Sequence, residues 1–158
     1  TLAQFHSRMG HESVIVSSDS DFIQLLNLTN LNISLYHPIK KKYIERPDYD
    51  YVMWKALRGD ATDNIPGIPG VGDKTAHKLV VNPEKLNDFL LNETNRAIFE
   101  RNVNLIRLVD FTADLSVLET FNGVKDFDML KNIFTDLDFK TILKEKAWKK
   151  YVDTFARL

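Results

Sequence analysis

The chain has no cysteine. Disulfides and thiolate metal sites are therefore excluded, and any bound metal must take oxygen or imidazole ligands, which turns the question toward Mg²⁺ or Mn²⁺. No apolar stretch approaches the roughly 20 residues needed to cross a bilayer, and no basic segment followed by an apolar core opens the chain. The expectation is a protein with no membrane partner and a cytoplasmic location. A surplus of either charge is also missing, since 21 Lys and Arg stand against 22 Asp and Glu. A dedicated polyanion-binding module usually shows an excess of Lys and Arg, so net charge alone argues against one. Distribution argues otherwise. Acidic residues gather at Asp19, Asp21, Asp60 and Asp63, whereas Lys40, Lys41 and Lys42 form one basic run and Lys144, Lys146, Lys149 and Lys150 another. An acidic centre flanked by basic surfaces averages to near zero.

Periodicity orders the rest. Leu2, Phe5 and Met9 recur at helical spacing, and Ser13-Val14-Ile15-Val16-Ser17 is the short β-branched run of a buried parallel strand, expected at the centre of a sheet. Residues 19–27 predict a short helix with an acidic first turn. Two further strands are predicted over 32–36 and, more weakly, 42–45, joined by a hairpin-like connection through Pro38. A helix is predicted over 49–57. Glycine is scarce, with six in the chain, yet four fall at Gly59, Gly67, Gly70 and Gly72. Beyond Asp73 the pattern is helical, with helices predicted near 73–81, 84–91, 95–108, 126–134 and 138–156. The expected organisation is an α/β part over 1–58 and an all-helical part over 59–158. Trp54, Phe99, Phe134, Trp148 and Tyr151 lie on apolar helical faces and are read as packing residues. Lys40 to Lys42 are read as a solvated hairpin tip, and His6, His11 and His37 as surface residues.

Three segments carry chemistry. Asp19 and Asp21 follow a predicted parallel strand, where open α/β sheets place ligands; they suit a metal, or else Asp19 caps the next helix and Asp21 complements its dipole. Asp60 and Asp63, beside Asn64, suit the same metal, or else form turns with their own backbone. Carboxylates crowded together repel one another without a cation between them, so two such clusters in one chain favour the metal reading. In the third segment, Ile65 to Ala76, closely spaced glycines lead straight into a helix. Gly70 and Gly72 permit close approach of another backbone, so main-chain N–H groups and the following helix N-terminus can face a phosphate, with Lys74, Thr75 and His77 on the same stretch. Lys74 follows Asp73, which does not fit a nucleotide-triphosphatase loop.

In this order and spacing, Ser18-Asp19-Ser20-Asp21-Phe22, Gly59-Asp60-Ala61-Thr62-Asp63-Asn64-Ile65-Pro66-Gly67 and Gly70-Val71-Gly72-Asp73-Lys74-Thr75-Ala76 closely resemble the 5′-nuclease family of 5′→3′ exonucleases and flap endonucleases. The resemblance covers residues 1 to about 110. It implies a partial parallel sheet of a PIN-like 5′-nuclease fold over 1–58, then a helical DNA-binding domain with a helix-hairpin-helix element, or helix-three-turn-helix, at 59–82. It implies that Asp19, Asp21, Asp60 and Asp63 are metal ligands serving two Mg²⁺ or Mn²⁺ ions in phosphodiester hydrolysis, with Asp19 shared between them. Gly70, Gly72, Lys74, Thr75 and His77 would grip a duplex backbone without reading bases, and K⁺ would sit near Val71. The implied partner is DNA bearing a 5′ end, a flap or an RNA primer, in replication or repair, within a bacterial or phage-infected cytoplasm. Family members carry a further acidic strand, a helical arch and an acidic segment upstream, none of it in this sequence. The expectation is that this polypeptide alone is not a competent nuclease. The alternatives are a non-catalytic duplex-DNA-binding module and a half that pairs with a separately encoded N-terminal half.

Overall fold

The computed structural model describes residues 1–28, 30–110 and 123–156, which form two compact units, one up to residue 110 and one from 123. It is rich in helix and carries two small sheets.

The first unit opens with α1 (Leu2–Arg8) and β1 (Ser13–Val16), followed by a 3₁₀ segment (Ser20–Asn27), β2 (Ile33–His37) and β3 (Lys42–Tyr43). β1 runs parallel to β2, pairing Ser13 with Ile33 and Val16 with Tyr36, and β3 returns antiparallel, pairing Tyr43 with Tyr36. The central strand is thus β2, whose Leu35 is 2% exposed, and the expectation of a central β1 is corrected. Among the described residues no strand pairs with the outer edge of β1, and Val14 and Val16 stand 46% and 64% exposed. The segment after β1 is helical as expected but wound as 3₁₀. Asp19 Oδ1 accepts the N–H of Asp21, only two residues on, at 2.9 Å, and this tight Asx turn sets the winding at its entry.

Asp50 starts α2 (Tyr51–Arg58), its carboxylate accepting the Met53 N–H at 2.9 Å. Gly59 ends it at φ +85°, leading into β4 (Gly59–Asp60), which pairs with β5 (Ile65–Pro66). α3 (Asp73–Val80), α4 (Pro83–Phe89) and α5 (Glu93–Ile106) follow, the last two begun by Asn82 and Asn92 caps. Val52, Ala56 and Leu57 of α2 share one core with Ile68, Val71, Ala76, Leu86, Phe99 and Ile106. The change of composition at Gly59 therefore falls inside a continuous core, because α2 packs with α3 and α5. Gln24 ties the 3₁₀ segment to the end of α5, donating to the Ile106 carbonyl at 3.1 Å and accepting the Leu108 N–H at 2.9 Å.

The second unit holds α6 (Phe127–Asp136), α7 (Lys140–Leu143) and α8 (Glu145–Phe155). The single helix expected over 138–156 is broken at Lys144, whose ψ of 133° is extended. No glycine or proline marks the break. It sets Trp148 and Tyr151 of α8 edge-on to Phe134 of α6, with ring centroids 6.1 and 6.0 Å away, so the unit is held by aromatic faces as the sequence suggested.

Candidate metal centre

Three of the four expected acidic residues converge. Asp21, from the first turn of the 3₁₀ segment, and Asp60 and Asp63, from the α2–α3 connection, each offer a carboxylate oxygen within 4.8 Å of the others. Asp19 lies outside this group, its carboxylate engaged by the Asp21 N–H. Asp19 thus shapes the turn, and Asp21 joins the carboxylate cluster.

The loop is built around backbone contact at glycine. A Cβ on Gly59 would lie 2.3 Å from the Gly67 nitrogen, and one on Gly67 only 2.1 Å from the Arg58 carbonyl oxygen. Gly59 also holds positive φ, so the two positions admit nothing larger. That crossing, the β4–β5 pairing of Asp60 with Ile65 and the Ile68 N–H donated to Leu57 O at 2.9 Å turn Asp60 inward from the end of α2. Asn64, at φ 56°, completes the turn carrying Asp63. Beneath the crossing, the fully buried amide of Asn102 donates to the carbonyls of Ala56 and Pro66, both at 2.9 Å, while Arg101 donates to its oxygen. One side chain of α5 thus joins the last turn of α2 to β5.

Lys55 organises the cluster's charge. Its side chain is 3% exposed, and its ammonium bonds the carboxylates of both Asp21 and Asp60. Burial pushes the Lys55 ammonium toward losing its proton, but the two carboxylate bonds outweigh this and hold its pKa above the usual lysine range. Burial likewise favours the neutral acid at Asp60, and there the Lys55 bond and the Thr62 N–H, at 2.9 Å, win and hold the carboxyl below its usual range. Asp63 is fully exposed and moves the other way, raised chiefly by the negative charge of Asp60. A carboxylate destabilised by its neighbours is the condition a cation relieves. Three converging hard oxygen donors fit Mg²⁺ or Mn²⁺, and the Lys55 ammonium already places a positive charge between two of them.

The glycine-rich hairpin keeps its surface open. Gly70 has φ +79°, Gly72 precedes α3, and a Cβ at either would meet nothing within 4 Å. Lys74 and Thr75 are exposed in the first turn of α3, where backbone N–H groups lack intrahelical partners. His77 is half-buried instead, edge-on to Tyr49 at 5.0 Å with Nε2 3.8 Å from Asp48. Arg58 pins this end of α3 to α2, bonding Asp73 at 2.7 Å and lying 4.7 Å over the Trp54 ring, while the Trp54 indole N–H donates to Asp73 O at 3.1 Å.

Sequence reasoning missed Lys55 and Asn102. Both carried a signal, being polar residues inside apolar stripes: Lys55 among Tyr51, Val52 and Ala56, and Asn102 between Phe99 and Ile106. A charge or amide on the buried face of a helix must find a partner, and here the partners are the acidic cluster and the loop that carries it.

The family model of the 5′-3′ exonuclease, C-terminal SAM fold, matches residues 47–151. The chain is 30% identical to DNA polymerase I of Rhizobium leguminosarum over 93% of its own length and 16% of that protein's. It is 29% identical to DNA polymerase I of Bacillus caldotenax over 92% of its length and 19% of the relative's. It is 38% identical to the thermostable DNA polymerase I of Thermus thermophilus, over 51% of this chain and 10% of that one. The chain therefore spans less than a fifth of the length of these relatives. With two thirds of its residues inside the family match, and with the acidic loop and glycine-rich hairpin in place, the chain belongs to the 5′-3′ exonuclease family, in its C-terminal SAM-fold part.

Proposed function

We propose that this chain supplies metal-holding and DNA-gripping elements of a 5′-nuclease that hydrolyses phosphodiester bonds in DNA during replication or repair. The observation that carries the reading is the convergence of Asp21, Asp60 and Asp63, from two separate segments, on one point. Mg²⁺ or Mn²⁺ held there would supply the Lewis acidity that polarises a phosphoryl oxygen or activates a water. The chain's own residues do the rest. Lys55 holds Asp21 and Asp60 in place and balances their charge, and the Gly59–Gly67 crossing fixes the loop. Gly70, Gly72, Lys74 and Thr75 offer an open, sequence-independent seat for a phosphate backbone, with His77 behind them. Three carboxylates suit one hard cation. A second cation needs further donors, so a full two-metal centre requires Asp19 to turn inward and groups beyond this cluster.

One observation favours a second reading. The Lys55 ammonium satisfies Asp21 and Asp60 without any ion, as in a non-catalytic duplex-binding module whose acidic cluster is structural. Binding of a 5′-flap DNA duplex with Mg²⁺ or Mn²⁺ and with EDTA, comparing the chain with Asp21→Asn plus Asp60→Asn, tests between them. Duplex binding strengthened by the metal in the chain and not in the variant supports the metal-holding part of a nuclease. Duplex binding indifferent to metal and to both substitutions supports the module.

A further inference from the structure

We propose that the lysine face of α8, formed by Lys146, Lys149 and Lys150, is a second phosphate-binding surface for duplex DNA. It rests on the DNA-binding part of the reading above. The three lysines line one shallow concavity of about 380 Å³ with Asp153 and Thr154, so their ammoniums share one side of the helix. That side is fixed outward by what the other side does. Trp148 and Tyr151 stack at 5.6 Å and 11°, Tyr151 meets Phe155 at 4.6 Å, and both Trp148 and Tyr151 pack against Phe134 of α6.

Like charges three and four residues apart oppose the helix by a few tenths of a kcal/mol each, roughly. Pairing removes such repulsion elsewhere in the unit, where Lys140 bonds Asp138 at 2.9 Å. Glu145 and Asp153 stand one turn either side of Lys149, yet among the described residues no acid lies within ion-pair distance of Lys146, Lys149 or Lys150, and three ammonium-bearing side chains share their concavity with the one carboxylate of Asp153. The spacing suits a polyanion. Lys146 and Lys150 are one turn apart, a rise of about 6 Å, and phosphates of one DNA strand advance roughly 3.4 Å along the axis per nucleotide. A rise of about 6 Å spans roughly two such steps, so the long lysine side chains can reach phosphates of one strand. No aromatic residue lines this face, so it would hold backbone and read no base.

The test is duplex binding by the full chain in EDTA, by fluorescence anisotropy across a salt series, with circular dichroism to show that each variant is folded. Lys146→Ala, Lys149→Ala and Lys150→Ala combined should flatten the slope of log K against log salt by about 2.7, at ~0.9 per phosphate, and the Lys→Arg triple should restore it. A wild-type chain that binds with an alanine triple of unchanged slope overturns the α8 surface and leaves the DNA reading standing. A wild-type chain that does not bind duplex at all overturns both.

Discussion

Replacing Lys55 with methionine probes the link between the fold and the metal centre. Lys55 is 3% exposed and Asp60 10%, and its ammonium is the cation between Asp60 and Asp21. Methionine fills similar volume without charge, leaving two carboxylates facing each other. Removing one partner of a buried ion pair costs about 3–5 kcal/mol because the other charge is left uncompensated. The partial exposure of Asp21 puts the expectation near the lower figure, which at a slope of ~2 kcal/mol/M lowers the urea midpoint by about 1.5 M. A divalent cation can take over the lost role. Mg²⁺ at about 100 times its Kd adds about 2.7 kcal/mol to whichever state binds it, so it should return most of the variant's loss. Wild type should gain less, since the ion must displace an ammonium already in place. The assay is urea unfolding with EDTA and with MgCl₂, followed by Trp54 fluorescence in a Trp148→Phe background so that the first unit alone reports. Equal Mg²⁺ stabilisation of variant and wild type, or none of either, would refute the shared-cation reasoning.

Further outcomes follow from the loop and its charges. Gly67→Ala should unfold the first unit or abolish metal binding, because its Cβ would sit 2.1 Å from the Arg58 carbonyl; Gly70→Ala, with open space around it, should bear only the smaller cost of positive φ, about 1 kcal/mol, and thermal melts compare the two. Asn102→Leu removes the donor to the Ala56 and Pro66 carbonyls; Arg101 still donates to Pro66 O at 3.3 Å, so the Ala56 carbonyl alone is left unsatisfied and the cost should be ~1–3 kcal/mol, read as a shift in urea midpoint. The folded-state pKa of Asp60 is depressed, so its stabilisation is present above the unfolded pKa near roughly 4 and is lost as pH falls through the lower folded value. The Lys55 pKa is raised, so its contribution holds below the ordinary lysine pKa and is lost as pH rises through the folded value. Asp63, raised by Asp60, should take up its proton at higher pH than Asp60, so metal affinity should fall on acidification before the fold does. Calorimetric metal titration beside pH-dependent melts checks that order.

The elements were legible in the sequence because periodicity and caps agree over most of the chain: Asp50, Asn82 and Asn92 each cap a helix near its predicted start. The strand order was less so. A β-branched run states that a strand is apolar, whereas its neighbours are set by pairing partners far along the chain, so β1 reads as central and stands at an edge. The break at Lys144 is likewise a tertiary effect, settled by aromatic packing between α6 and α8. At the site, the acidic residues announced themselves by spacing, but the buried groups that align them did not. Lys55 and Asn102 act through contacts 34 and 46 residues distant, and only their misfit with an apolar stripe hinted at them.

The convergence of Asp21, Asp60 and Asp63 into a cation site is tested most directly by Mn²⁺ titration of the chain, read by electron paramagnetic resonance of the free ion. The expected result is one Mn²⁺ bound per chain, with affinity weakened about tenfold or more, ~1.4 kcal/mol or above, by Asp60→Asn and by Asp63→Asn, and unchanged by Asp136→Asn in the second unit. Binding equally tight in all four proteins, or no binding in any, would contradict it.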